Sequence, residues 1–150
     1  FAERWGGDHV LLLRLHYMLT GRLAAHEHAS VKDVSFHADV GELYLAADAM
    51  ITDYSSTMFD FGVTGRPMVF FTYDLEDYVG RQRGFYFDFE PLAPGPLVAT
   101  SEELMDAIGD LDGIAETYAE RYAAFRERFC HLEDGHATQR VVERILRDAP

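Results

Sequence analysis

The sequence predicts an α/β domain with a parallel sheet and helices on both faces. Three features of the chain point there. Short apolar runs alternate with helix-like stretches through the first hundred residues. The first of these runs carries leucines on both faces, as a strand in a covered parallel sheet does. The last fifty residues change to apolar positions at three-to-four spacing, the signature of amphipathic helices.

In chain order, "HVLLLRLHY" (residues 9–17) reads as a buried strand and "VSFHA" (34–38) as a shorter one. "ELYLAA" (42–47) reads as a short helix and "AMITDY" (49–54) as the third strand. A helix over 56–64 is expected to stop at Gly65, with Pro67 just beyond, a normal C-terminal arrangement. "MVFFTY" (68–73) is the fourth strand and "PLVAT" (96–100) the fifth, separated by a loop rich in glycine and proline at 91–96. Thr100-Ser101-Glu102-Glu103 has the pattern of a capping box. Three helical stretches follow: "EELMDAIGDL", "GIAETYAERYAAFRERF" and "HATQRVVERILRDA". Ahead of Leu13 there is only half a helix, so the chain is expected to begin in mid-fold, as a single partial domain over 1–150.

Composition narrows the function classes. The 150 residues are 48% hydrophobic and 13% aromatic, enough for a core, and no apolar run approaches the ~20 residues of a membrane span. A single cysteine, Cys130, excludes an internal disulfide and suggests a reducing, cytoplasmic setting. The formal net charge of −13 argues against nucleic-acid binding, which requires a basic stripe. Any anionic ligand must be held by local donors against an unfavourable overall field. His26, His28, His131 and His136 form no metal-ligand pattern, so no metal is expected. There is no dinucleotide-binding glycine fingerprint and no P-loop.

Ligands of open parallel sheets bind beyond the strand carboxyl ends. There the first strand delivers Arg14 and His16, two residues apart and on one face. The second delivers His37 and Asp39, the third Asp53 with Ser55 and Ser56, the fourth Thr72, Tyr73 and Asp74. Each has a plain alternative. Arg14 and His16 are either a strand meeting water or a phosphate clamp and an acid/base group. Ser55 and Ser56 are either helix caps or small residues that let phosphate approach free N–H groups. Asp53 either orders the next turn or touches a ligand. Asp60 either complements a helix dipole or accepts ribose hydroxyls. Most aromatics of "RGFYFDF" belong to the core, with Arg83 kept open as an acceptor or phosphate contact.

The stretch "ADAMITDYSSTMFDFGVTGRPMVFFTYDLEDY", with "RGFYFDF" and "PGPLV" behind it, closely resembles the C-terminal region of the CDP-glycerol glycerophosphotransferases. "LLLRLHY" and "DGHATQRVVERIL" fit the same pattern on either side. The resemblance implies a GT-B architecture, two Rossmann-like domains across a cleft, of which this chain is the donor-binding half without its N-terminal partner. It also implies metal-independent transfer of glycerol phosphate from CDP-glycerol to a polyol-phosphate or lipid-linked hydroxyl, in teichoic acid biosynthesis. The enzyme would be cytoplasmic, peripheral at the inner membrane face, with membrane association through the parent protein. By the same resemblance, Ser55, Ser56 and Thr57 lie against the donor diphosphate and Asp60 at the ribose. The loop with His37 meets the cytosine base, and His16 belongs to the active site with Arg14 beside it. The first strand of such a domain, central in its sheet, is expected to be missing. Residues 11–15 and 50–53 would then pair directly, or a neighbouring chain would fill the gap. The competing readings are a GT-B sugar transferase or nucleotide-sugar epimerase domain, and a nucleotide-binding module without turnover.

Overall fold

The computed structural model describes residues 1–15, 28–79 and 84–147. Among these the elements are α1 (Ala2–Trp5), β1 (Leu11–Leu13), β2 (Val31–Asp33), α2 (Val40–Ala46), β3 (Met50–Thr52), α3 (Thr57–Gly62), β4 (Met68–Phe71) and α4 (Leu75–Asp77). They continue with α5 (Phe89–Leu92), β5 (Leu97–Val98), α6 (Ser101–Ile108), α7 (Leu111–Thr117), α8 (Ala119–Phe129) and α9 (Ala137–Arg147). All strand pairs within named strands are parallel, which gives the α/β class expected from the alternating pattern.

The sheet lies in two pieces among the described residues: β1 pairs with β2, and β3, β4 and β5 form a second sheet in that order. Direct pairing of β1 with β3, one of the two expected outcomes, does not occur. β4 is the central strand of the larger piece, and its period-two alternation supplies both cores. Met68 and Phe70 face one side with Met58 and Phe61 of α3, Phe89 of α5 and Phe125 of α8. Val69 faces the other with Val98 of β5 and Ile114 of α7, against Leu104 and Leu111. Helices therefore cover both faces of this sheet.

Two strands depart from their expected form. β1 is not buried on both faces: Leu11 and Leu13 are half-buried and Leu12 is exposed. β3 shows the same alternation, with Ile51 outward. Among the described residues each has one strand neighbour, so neither is enclosed as β4 is. The second strand runs over Val31–Asp33, ahead of the expected 34–38. Residues 34–38 are a turn, because Asp33 Oδ1 accepts the Ser35 amide at 2.9 Å and the His37 amide closes onto the Val34 carbonyl at 3.0 Å. The apparent alternation of Val34, Phe36 and Ala38 misleads, since Phe36 is 85% exposed.

The cap signals are expressed, but "GIAETYAERYAAFRERF" is broken at Tyr118 into α7 and α8, and α3 closes at Gly62, ahead of the expected 64. Thr100 Oγ1 accepts the Glu103 amide at 3.2 Å, and Glu103 Oε2 accepts the Thr100 and Ala99 amides, so the capping box forms. Those amides hold the Glu103 carboxyl below its ordinary range. Gly65, just after α3, has φ of 74°, a left-handed conformation that suits glycine at a helix stop. Gly62 lets α3 meet α8, since a Cβ there would lie 2.9 Å from Phe125 Cε1. At the far end, α9 buries no residue and presents Val141, Val142, Ile145 and Leu146 to solvent.

Candidate functional site

The carboxyl ends of the strands bring together most of the polar residues singled out by sequence. After β3, Asp53 Oδ1 accepts the Ser55 amide at 2.9 Å and so orders the turn. Ser55 Oγ then accepts the Thr57 amide at 3.4 Å, a long bond. Ser56 stands at the N-cap of α3 in helical backbone geometry, and its side chain makes no capping bond. The capping contact thus falls to Ser55, and the exposed Ser56 hydroxyl has no part in it. Thr57 Oγ1 lies 3.4 Å from Thr52 Oγ1, tying the helix start to the strand end. One turn on, Asp60 is exposed on the outer face of α3, while Met58, Phe61 and Gly62 are buried on its inner face.

A second group gathers at the ends of β1 and β2. The Arg14 guanidinium donates to the His37 carbonyl at 2.8 Å, and His37 Nε2 meets Glu42 Oε2 at the same distance. Ser35 Oγ accepts the Leu15 amide at 3.0 Å, locking the turn to the strand. Asp39 is the N-cap of α2 and accepts the Gly41 amide at 2.8 Å, a purely architectural role. The two groups meet electrostatically at Tyr44 of α2. Its phenol is pushed above the ordinary range by burial first and by Asp60 second, with Arg14 opposing. His16 and Arg83 lie outside the described residues.

Sequence reading missed three contributors. Glu42 orients His37. Tyr54 donates from its hydroxyl to Asp74 Oδ1 at 2.9 Å, joining the ends of β3 and β4. Arg66 donates to the carbonyls of Tyr44, Leu45 and Ala47 and closes the carboxyl end of α2. For Tyr54 the only signal was its position between Asp53 and Ser55; Glu42 and Arg66 carried none, because their partners lie on separate elements or an adjoining turn.

The assembled edge is a shelf. Arg14, His37, Asp53, Ser56 and Asp60 are all exposed along it. Two clefts of the described residues lie elsewhere. One of about 240 Å³ is lined by Pro67, Pro94, Ile114, Ala119, Tyr122 and Arg126, at the amino ends of β4 and β5. The other runs past Trp5, His9, Gly109 and Asp110. The shelf presents backbone amides, hydroxyls, a guanidinium and carboxylates. Among the described residues no three His, Cys, Asp or Glu side chains are grouped to hold a metal ion.

Comparisons with known proteins bear on the fold and the family. The teichoic acid glycerol-phosphate transferase of Staphylococcus aureus is 46% identical over 140 residues, covering 93% of this chain and 36% of that protein. The teichoic acid poly(glycerol phosphate) polymerase of Bacillus subtilis is 40% identical over 147 residues, 97% of this chain and 20% of that protein. The structure of the wall teichoic acid polymerase TagF superposes with a TM-score of 0.87 at 39% identity, over 98% of this chain and 36% of that one. The chain thus spans well under half the length of these relatives. The family model described as CDP-Glycerol:Poly(glycerophosphate) glycerophosphotransferase matches residues 1–147, and the chain belongs to that family.

Proposed function

We propose that this chain is the donor-nucleotide wall of an enzyme that transfers glycerol phosphate from CDP-glycerol to a hydroxyl of a teichoic-acid-like polymer. One observation supports the reading above all. The turn from Asp53 to Thr57, the strand end with Arg14 and the turn with His37 stand at one edge of a fold that matches this family over residues 1–147. In this reading 1–150 is a single partial domain, the C-terminal Rossmann-like half of a GT-B enzyme, and an N-terminal half supplies the opposite wall.

The residues divide the work by their chemistry. The donor diphosphate sits against the backbone and hydroxyls of Ser55, Ser56 and Thr57. Its charge is offset by donors at short range, because the net charge of −13 repels anions at long range. Asp60 accepts ribose hydroxyls, and the turn carrying His37 faces the base. Asp53 acts through the turn it orders. The acceptor hydroxyl oxygen attacks the phosphorus that carries glycerol; the bond from that phosphorus to the bridging oxygen breaks and CMP leaves. His16 takes the hydroxyl proton, an assignment carried by the family resemblance, with Arg14 beside it and Arg83 as a further phosphate contact. Positioning and charge neutralisation suffice for such a transfer, and the reading calls for no metal. No helix among the described residues is long and apolar enough to cross a membrane. The proposed location is the cytoplasmic face of the membrane, where a lipid-linked acceptor would be reached, with attachment through the rest of the parent protein.

Calorimetric titration of the full-length protein with CDP-glycerol, CDP and UDP-sugars tests the assignment. CDP-glycerol should bind at least about tenfold more tightly than any UDP-sugar. Preference for a UDP-sugar would favour a sugar transferase or epimerase, and absence of nucleotide binding would leave a module without this function.

A further inference from the structure

We infer that Tyr54 is a positioning residue for the donor turn, acting through Asp74. The inference rests on the donor assignment above and extends it to a pair outside the shelf. Tyr54 lies between Asp53 and Ser55, so the turn cannot move without carrying its side chain. That side chain is anchored on three sides. Its ring stacks on Tyr78 at 4.1 Å between centroids and 21° between planes. Phe85 and Phe89 meet it edge-on at 5.8 and 6.4 Å. Its hydroxyl donates to Asp74 Oδ1 at 2.9 Å.

The acceptor is informative in itself. Asp74 occupies the N-cap position of α4, where aspartate ordinarily receives a helix amide, yet its side chain makes no capping bond. The carboxylate faces Tyr54 instead. Burial and that carboxylate raise the Tyr54 phenol far above its ordinary value, so the hydroxyl stays a donor throughout the neutral range. The turn needs such an anchor. Its own side-chain bonds to backbone are one from the Ser55 amide to Asp53 and one long contact from Thr57 to Ser55. Groups that hold a diphosphate must be fixed within about half an ångström to be effective. The Tyr54–Asp74 bond supplies that constraint from the neighbouring strand end.

The test uses full-length enzyme with CDP-glycerol and a polyol-phosphate acceptor. Tyr54→Phe keeps the ring stack and removes the donor, and Asp74→Ala removes the acceptor. Each should raise the KM for CDP-glycerol about tenfold, while kcat at saturating donor and the acceptor KM change less than about twofold. Asp74→Asn, which keeps an acceptor oxygen, should recover most of that loss. The double variant should be no worse than the poorer single one. An unchanged donor KM in both single variants overturns the inference, as does a proportional change in all three kinetic constants. Ser55→Ala and Ser56→Ala separate the two levels. If they raise the donor KM and Tyr54→Phe does not, the positioning role fails and the donor assignment stands. If they too leave it unchanged, the donor assignment fails and takes the positioning role with it.

Discussion

The Arg66 guanidinium donates to the Leu45 carbonyl at 2.8 Å, closing the carboxyl end of α2 from the loop that leads into β4. The same nitrogen reaches the Tyr44 and Ala47 carbonyls, so one cation satisfies three acceptors at a helix terminus. Arg66→Ala should destabilise the fold by about 2 kcal/mol, the scale of a lost charged hydrogen bond plus orphaned carbonyls. Arg66→Lys should recover only part, because a strongly hydrated ammonium on a flexible stem is held at these carbonyls at greater cost than a planar, weakly hydrated guanidinium. Urea unfolding of the three proteins checks this. Equal stability of wild type and Arg66→Ala would show that water replaces the guanidinium without loss.

The Arg66 carbonyl is itself held by the Tyr122 hydroxyl at 2.8 Å. Burial pushes the Tyr122 phenol from its ordinary 10.0 up to about 12. A folded state that holds its proton more tightly gains stability that is complete below pH 10.0 and is lost as the pH rises through about 12. Tyr122→Phe should therefore be less stable at neutral pH and should show a shallower alkaline decline over that window. Tyr54 also loses its proton late, so the comparison of wild type with Tyr122→Phe is the informative one. Identical alkaline slopes would remove Tyr122 from the account.

Ser55 and Ser56 now make separable forecasts. Ser56 makes no capping bond, so Ser56→Ala should cost less than about 0.5 kcal/mol, the scale of an ordinary surface substitution. Ser55→Ala removes one long contact and should cost at most about 1 kcal/mol. Both should weaken CDP-glycerol binding in folded full-length protein, and Asp60→Asn should weaken cytidine as well, since the ribose is common to both. Calorimetry decides: unaltered CDP-glycerol affinity in the double serine variant would reduce this turn to architecture.

Hydrogen exchange should rank the strands by enclosure. β4 is paired on both sides and covered on both faces, whereas among the described residues β1 pairs with β2 alone and exposes Leu12. Amides of β4 should exchange near the global unfolding limit, and those of β1 and β3 much faster. In a full-length protein that inserts a strand between β1 and β3, their protection should rise while that of β4 stays constant. No rise at β1 and β3 would argue against such a strand.

Sequence by itself determined the elements whose signals are local. β4 was legible because Met68-Val69-Phe70-Phe71 is a short apolar run bounded by Gly65 and Pro67, as a strand covered on both faces shows. The stop of α3 followed from Gly65 and the start of α6 from Thr100 and Glu103, since caps are formed by residues a few positions apart. The turn after β3 was legible for the same reason: Asp53 and Ser55 bond across two residues. Tertiary structure alone decided what depends on partners from distant segments. The second strand moved to Val31–Asp33 because β1 selects its register through the pairs Leu11–Val31 and Leu13–Asp33, and local alternation cannot specify a parallel partner. The missing central strand was expected from the family resemblance, but that β1 and β3 stay unpaired across it, the Arg66 closure of α2 and the Tyr54–Asp74 bond were invisible for that reason. Local sequence carries the preferences of the backbone, but a hydrogen bond between strand ends twenty residues apart exists only once packing has set them side by side.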